Sequence, residues 1–577
     1  MFNSYYQQEL SRLKEIAGEF AKQNPAIAPM LGETASDPDV ERLVESVAFL
    51  TGLIRERIDD EFPEIIHNFI RQIWPHYLRP VPSATIIAFS PLEEGVTQTV
   101  AAGAYVDSIP VDGTRCTFRT CYDVHVHPVK ITGAQYREPA GNKPSIRLTL
   151  RLIGITAEQW SAESIRLYLA GGLKNAGDLY YVLSNHLNRV VIRDPKDQAL
   201  GLLDKTCLRP VGVSDAEALL PYPSNSFTGY RLLQEYFFMP EKFFFLDLSG
   251  WENWTERSGI TEFHVDFELK SAPDIGHFKV DSESFALFAT PAVNIFPHSA
   301  VPVEVDHRKT EYVIRPAGDD PEKYQVYSIE DVSGVVKGLE KDQKFESFHS
   351  FNTSAESFMY NEKLSRSPVY DKIDFRASLA YPPGLNTWDL ESLSFYILCT
   401  NANTPEALGP GDICVSTFSI PESLTFANLT SPTTAVLPPL GTNMLWRLVS
   451  LLTINSSSLS RLENLKALLK LHLMKEGSRD IKRVQANEKR IDGIRELETK
   501  NIERLVKATM MQGLEIRMKI SQSHFAGPGD LYLFGVIIDH FLGLYASMNN
   551  FTKLVINETD TGEIFSWPER IGTRQII

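Results

Sequence analysis

Ser145-Ile146-Arg147-Leu148-Thr149-Leu150-Arg151-Leu152 alternates Ile and Leu with Arg and Thr at a period of two, so one face of the run is buried and the other wet, as in a β-strand. Ser164-Ile165-Arg166-Leu167-Tyr168-Leu169 repeats the pattern, and the two runs read as neighbouring antiparallel strands. Strand patterns broken by Gly and Pro turns extend from Ser83 to about residue 440. On the N-terminal side the period changes. Leu10, Leu13, Ala17 and Phe20 recur at spacings of three and four from Tyr6 to a stop at Asn24-Pro25. Asp37-Pro38 then offers an N-cap acceptor and a first-turn proline ahead of Val40, Leu43, Val44, Val47, Ile54 and Ile58. A third helix is expected from Pro63 through Ile66, Phe69, Ile70 and Ile73, before Pro75, Pro80 and Pro82 forbid continuation. Helical spacing returns at Leu445, Leu448, Leu451 and Leu452, and again at Leu462, Leu465, Leu468, Leu469 and Leu473. The expected fold is α+β and multidomain. It has an N-terminal helical region over 1–82, β-rich domains over 83–215, 216–318 and 319–440, and a helical or mixed region over 441–577. Within the third β-rich domain, 319–367 reads as an irregular insertion.

With 577 residues, 43% hydrophobic, 10% aromatic and 23% charged, the chain is globular and long enough for roughly three to five domains. A formal net charge of −16 argues against phosphate backbones and anionic lipid as partners. The stretch 461–520 is the exception, with fifteen Lys/Arg against nine Asp/Glu. It reads either as a solvated helical face or as a surface docking an acidic neighbour. Five cysteines make no disulfide framework. The N-terminus lacks the basic and apolar regions of a secretory signal. Leu531 to Ile538, bounded by Asp530 and Asp539-His540, is too short for a membrane span. A soluble cytoplasmic protein is expected.

No phosphate-loop, zincin, nucleophile-elbow or Cys-x-x-Cys motif is present. Cys116, Cys121, His125 and His127 offer zinc-ligand types at an unusual spacing, and surface or packed side chains are the competing reading. Asp59-Asp60-Glu61 point in different directions on a helix and read as a helix junction. Asp539-His540 has the elements of an acid–base pair, or closes a buried helix with polar contacts. Tyr236-Phe237-Phe238-Met239-Pro240-Glu241-Lys242-Phe243-Phe244-Phe245-Leu246 is too aromatic to stay in water. Core strands of a sandwich or a partner interface both answer that.

Several blocks in order resemble one family. The first runs from Asp37-Pro38-Asp39-Val40-Glu41-Arg42-Leu43-Val44-Glu45 through Ala48-Phe49-Leu50-Thr51 to Asp59-Asp60-Glu61-Phe62-Pro63-Glu64 and Pro80-Val81-Pro82-Ser83. The second is Gly229-Tyr230-Arg231-Leu232-Leu233-Gln234-Glu235-Tyr236-Phe237 with Pro240-Glu241-Lys242-Phe243, followed by Thr290-Pro291-Ala292-Val293-Asn294-Ile295-Phe296. Cys399-Thr400-Asn401-Ala402-Asn403, Leu445-Trp446-Arg447-Leu448-Val449-Ser450, Leu533-Phe534-Gly535, Tyr545 to Phe551 and Trp567-Pro568 follow. Together they resemble the TssF (VasA, ImpG) subunit of the type VI secretion baseplate. Leu451 stands where the family usually has His, and 319–367 carries no recognised block.

The resemblance implies a structural subunit related to phage tail-baseplate wedges, not an enzyme. Two copies would join one TssG, connect to TssK and TssE, surround the VgrG hub and dock on the membrane complex. There, at the cytoplasmic face of the inner membrane, they would initiate assembly of the tail tube and sheath. No cofactor, metal, nucleic acid or small-molecule substrate is expected. Candidate structural or contact residues are Tyr6, Leu10, Leu13, Phe20, Leu43, Val47, Tyr236, Phe237, Phe243, Trp446, Phe534 and Tyr545. The N-terminal stripes suit either intramolecular packing or an intersubunit bundle. Two other classes stay open on the residues alone. One is a carbohydrate-active enzyme, which needs two carboxylates roughly 5 to 9.5 Å apart; the other is a ligand-binding module built on the aromatic block.

Overall fold

The computed structural model describes residues 6–14 without 8 and 12, 38–440, 461–547 and 550–572. Residues 93–94, 139–142, 224–225, 256, 258, 274, 276–277, 307, 319, 337–341, 349–356, 368–369, 382–389, 476 and 507–508 are outside the description. Helix α1, Pro38–Ile73, starts at the expected proline and runs 36 residues, about 54 Å at 1.5 Å per residue. Pro63 does not begin a new helix. The chain passes through it without a break, so Asp59-Asp60-Glu61 lie inside one helix and mark no junction. Asp39 and Glu41 in the first turn and Arg71 in the last complement its dipole. The proline at 75 ends it as expected: Pro75–Leu78 tightens into a single 3-10 turn.

The β-strands form several sheets, and their order departs from the local reading. Ser145–Leu152 sits between Glu262–Leu269 and Val129–Arg137 in a five-stranded sheet. Ser164–Leu169 belongs instead to a four-stranded sheet, between Phe245–Ser249 and Phe285–Leu287. The two similar runs are therefore not partners; each pairs with a strand about a hundred residues downstream, because cross-strand complementarity outweighs proximity in sequence. Arg147 thus meets Asp266 at 2.6 Å, and Arg166 meets Asp247 at 2.7 Å.

A six-stranded sheet takes strands from Ala84–Pro91, Tyr105–Asp107, Thr117–Thr120, Ala289–Val293, Val415–Ser416 and Leu424–Asn428, drawing on all three β-rich spans. It curls until its two edges meet. Asn428, on one edge strand, accepts the Ile413 N–H at 2.9 Å and donates to Gly409 O at 2.9 Å just before the other edge strand. The stretch 319–367 is not an irregular lobe: Gln325–Val336, Gln343–Ser347 and Phe358–Arg366 are strands of an eight-stranded sheet.

The described α-helices after α1 are α2 (Gly172–Tyr181), α3 (Thr228–Phe238), α4 (Leu462–Leu471), α5 (Ile481–Asp492) and α6 (Pro528–Tyr545). The apolar run of α6 is buried on all sides, with Leu531, Leu533, Phe534, Ile537, Ile538 and Phe541 at 0% exposure. That environment is what a helix without a polar face requires. It crosses α2 backbone to backbone: a Cβ on Gly529 would stand 2.0 Å from the Gly177 carbonyl carbon. No described helix is long and apolar enough to cross a membrane.

Candidate interaction surfaces

The block Gly229 to Phe243 is core, but its first half is helix rather than sandwich strand: α3, then the 3-10 turn Pro240–Phe243, with strand Phe245–Ser249 only afterwards. Its apolar residues recur every three or four positions on a helix wrapped on all sides, so Tyr236 (1%), Phe237 (3%) and Phe243 (1%) are all buried. The polar residues of the block form a clasp. Glu235 and Lys242, both fully buried, make an ion pair. The other carboxylate oxygen of Glu235 accepts the N–H groups of Leu219 and Leu220 at 2.9 and 3.0 Å. Burial pulls the Lys242 ammonium below its ordinary pKa, and the Glu235 charge opposes that pull.

Around the clasp, distant parts of the chain converge on α3. Trp74, just past α1, stacks on Tyr230 at 4.6 Å and lies 4.7 Å from the His472 ring. The Tyr230 and Tyr545 hydroxyls are 3.0 Å apart, which ties α3 to the end of α6. From α5, Asn487 donates to Phe237 O at 2.9 Å. Phe534 (0%) and Tyr545 (9%) are buried in the same assembly.

The N-terminal candidates are placed differently. Tyr6, Leu10 and Leu13 are half-buried in a helical stretch that lies along α1, where Lys14 reaches Glu41 at 3.4 Å. Tyr6 also shares a cleft of about 600 Å³ with Arg42, Phe49 and Leu50. An apolar stripe of α1 bordering this cleft stays in solvent: Leu43 at 66%, Val47 at 39% and Leu50, on the cleft's edge, at 58%, spaced by four and three. Phe20 and Trp446 lie outside the described residues.

The candidate chemistry disperses. Cys116 and Cys121 are buried, and their thiols are pushed up to about 11 and about 12 by burial, which favours the protonated form. His125 is exposed and His127 buried; each ring pairs with a threonine, Thr99 at 3.0 Å and Thr97 at 3.1 Å. Asp539 and His540 both engage Arg570 of the last described strand, His540 at 2.8 Å. Burial raises the Asp539 carboxyl to about 6 and, with Arg570 adding to it, lowers His540 to about 3. The pair lies within α6, before its end at Tyr545, so it does not close the helix; its polar contacts tie the helix to the strand of Arg570.

The basic stretch is not a helical face throughout. After α5 it becomes a hairpin of Ile494–Val506 and Thr509–Ile520. Part of its excess charge is met by acids outside the stretch, through Arg479–Asp371 at 2.5 Å, Arg490–Asp530 at 2.9 Å and Arg504–Glu569 at 3.0 Å. Between this hairpin, α4 and the end of α6 runs a groove of about 570 Å³, lined by Leu465, Leu497, Ile516, Leu542 and Tyr545 among others. The clasp was not foreseen as such; the signal available was two opposite charges seven residues apart inside an aromatic run.

A curated relative, the type VI secretion system component TssF1 of Pseudomonas aeruginosa, is 30% identical over 99% of this chain and 98% of its own length. Among solved structures, a chain of the type VI secretion TssK-TssF-TssG baseplate subcomplex, determined by cryo-electron microscopy, superposes with a TM-score of 0.76. It is 26% identical and covers 92% of this chain and 99% of its own. A chain from the type VI baseplate complex shares the fold over the full length of both, at a TM-score of 0.63 and 24% identity. The family model described as type VI secretion system, TssF, matches residues 1–574, and the chain therefore belongs to the TssF family.

Proposed function

We propose that this chain builds a type VI secretion baseplate by assembling with TssG- and TssK-type subunits, using the exposed stripe of α1 as one contact. The family places the chain among structural subunits, not enzymes. The observation that carries the reading is the division of α1. Its last turns lead into the core through Ile70 (0%) and Trp74 (0%), while Leu43, Val47 and Leu50 present an apolar stripe to solvent. A free-standing apolar stripe on a helix anchored at one end suits a helical bundle with other subunits. The similar chain solved with TssK and TssG supports those two as the partners.

The finer reading follows the family. Two copies join one TssG; the wedge connects to TssE, surrounds the VgrG hub, docks at the cytoplasmic face of the inner membrane and initiates the tube and sheath. Coexpression with the TssG-type subunit, followed by light-scattering mass after size exclusion, tests it. Two copies per partner are expected, and Leu43→Asp with Leu50→Asp should abolish the complex without lowering the melting temperature. A lone monomer that ignores the partner, or a complex indifferent to both aspartates, refutes the reading.

A further inference from the structure

The six-stranded curled sheet ends in a turn, Thr417 to Ile420, that holds Phe418 out in solvent at 98% exposure. The turn is fixed at several points. Thr417 Oγ1 donates to Tyr105 O at 2.6 Å and accepts the Ser419 N–H at 3.2 Å, and the Ile420 N–H returns to Thr417 O at 3.2 Å. Ile420 fills the sheet interior at 5% exposure. Folding therefore uses Ile420 and the threonine, and a polar residue at 418 would serve the turn equally well.

Single exposed apolar residues are ordinary on protein surfaces; this one has company at the same end of the sheet. The Leu92 N–H donates to Ser423 O at 2.9 Å, and Leu92 is itself 60% exposed. Glu422 is exposed beside the turn. No Lys or Arg occurs between residues 80 and 114 or between 377 and 446. The basic side chain on the neighbouring strand is Arg119, across the ladder from Tyr105.

From this placement we infer that Phe418, with Leu92 exposed at the same end of the sheet, is an anchor that inserts into an apolar socket bordered by Lys or Arg on another protein subunit. A phenyl group on a fixed turn enters a pocket with little loss of conformational freedom, as interface anchors do. Glu422, on flanking segments without Lys or Arg, favours a basic rim and disfavours an anionic lipid surface. The inference extends the assembly reading to a surface distinct from α1.

Two measurements test it. A benzoylphenylalanine photo-crosslinker placed at position 418 of the full chain, in cells making the whole secretion apparatus, should join a peptide of another subunit with Lys or Arg near the site. Charge reversal of those basic residues should weaken the join. In the purified assembly, Phe418→Asp should weaken that subunit's retention by about tenfold or more while leaving the melting temperature unchanged, and Glu422→Lys should act more strongly at low salt than at high. Crosslinks confined to this chain, to a second copy of it or to anionic vesicles overturn the inference, as does an assembly that retains every subunit with Phe418→Asp. Failure of the coexpression mass measurement would sink the TssG reading alone, because the crosslink does not presuppose which subunit carries the socket.

Discussion

Replacing Glu235 by Ala should open the α3 clasp at a calculable cost. The substitution leaves the Lys242 ammonium alone at 0% exposure, and breaking a buried pair from one side costs roughly 3 to 5 kcal/mol. It also removes the acceptor for the N–H groups of Leu219 and Leu220, each unpaired donor adding about 1 to 3 kcal/mol unless water reaches it. Part of the first cost is relieved because Lys242, whose pKa already lies below its ordinary value, can shed its proton. A net loss of about 3 to 5 kcal/mol is therefore expected. At about 1.4 kcal/mol per decade, amide exchange at Leu219 and Leu220 should speed up by roughly a hundred- to three-thousandfold. Hydrogen exchange read by mass spectrometry over 215–245 gives the answer in the folded chain. Glu235→Leu combined with Lys242→Met should recover much of the loss, since it leaves no unpaired charge, though the two amides stay without an acceptor. Acceleration of less than tenfold in Glu235→Ala, or a double variant no better than the single, would show that the pair does not hold this region.

Acid should destabilise the chain over a definite window. Burial lowers His67, His127 and His472 to about 4, and His76 and His540 to about 3. Their folded pKa values lie below that of the unfolded chain, near 6.5, so the unfolded state takes up protons first as pH falls. The stability they contribute is complete above about pH 6.5 and is lost progressively down to about pH 4 for the first three and about pH 3 for His76 and His540. Asp539, raised to about 6, works the other way between about pH 4 and 6, as do Asp178 and Glu406, which burial also raises, but they are three groups against five. Melting temperatures across pH 4 to 7.5 should fall on the acid side, and a flat profile would contradict the assignment. Thiol labelling offers an independent check. Cys414 is exposed, whereas Cys116, Cys121, Cys207 and Cys399 are buried with thiols raised to between about 11 and about 12. One of the five should react quickly with a disulfide reagent in the native chain and all five after denaturation.

Much of the architecture was legible where a local pattern has a single physical solution. Asp37-Pro38 started a helix because proline's fixed φ suits the first turn, and Pro75 stopped it because proline offers no N–H to continue. Ser145–Leu152 had to be a strand, since the arginines and leucines alternate, but its polar face is not wet as expected: Ser145 and Arg147 are buried and only Arg151 is exposed, because Arg147 is held by Asp266 across the ladder. The aromatic block misled, because an all-round apolar run is compatible with a buried helix as well as a buried strand. Pro63 misled for the opposite reason: one missing hydrogen bond costs less than breaking 36 residues of helix in two. The stretch 319–367 was misread because its strands bury only part of each face, Phe358–Arg366 showing just two buried residues in nine.

By itself the sequence determined the family, the alternation of helical and β-rich regions, and the absence of any motif with which to build a catalytic reading, since each depends on residues close together along the chain. Tertiary structure alone decided which of the recognisable blocks is core and which is surface. Glu235 and Lys242 became a buried clasp because Trp74, Leu219, Asn487 and Tyr545 close around α3. Leu43 and Phe418 stayed in water because nothing described folds over them. Those outcomes turn on contacts between residues up to 315 positions apart. Hydrophobic periodicity states that a face must be covered, and only the folded chain states by what.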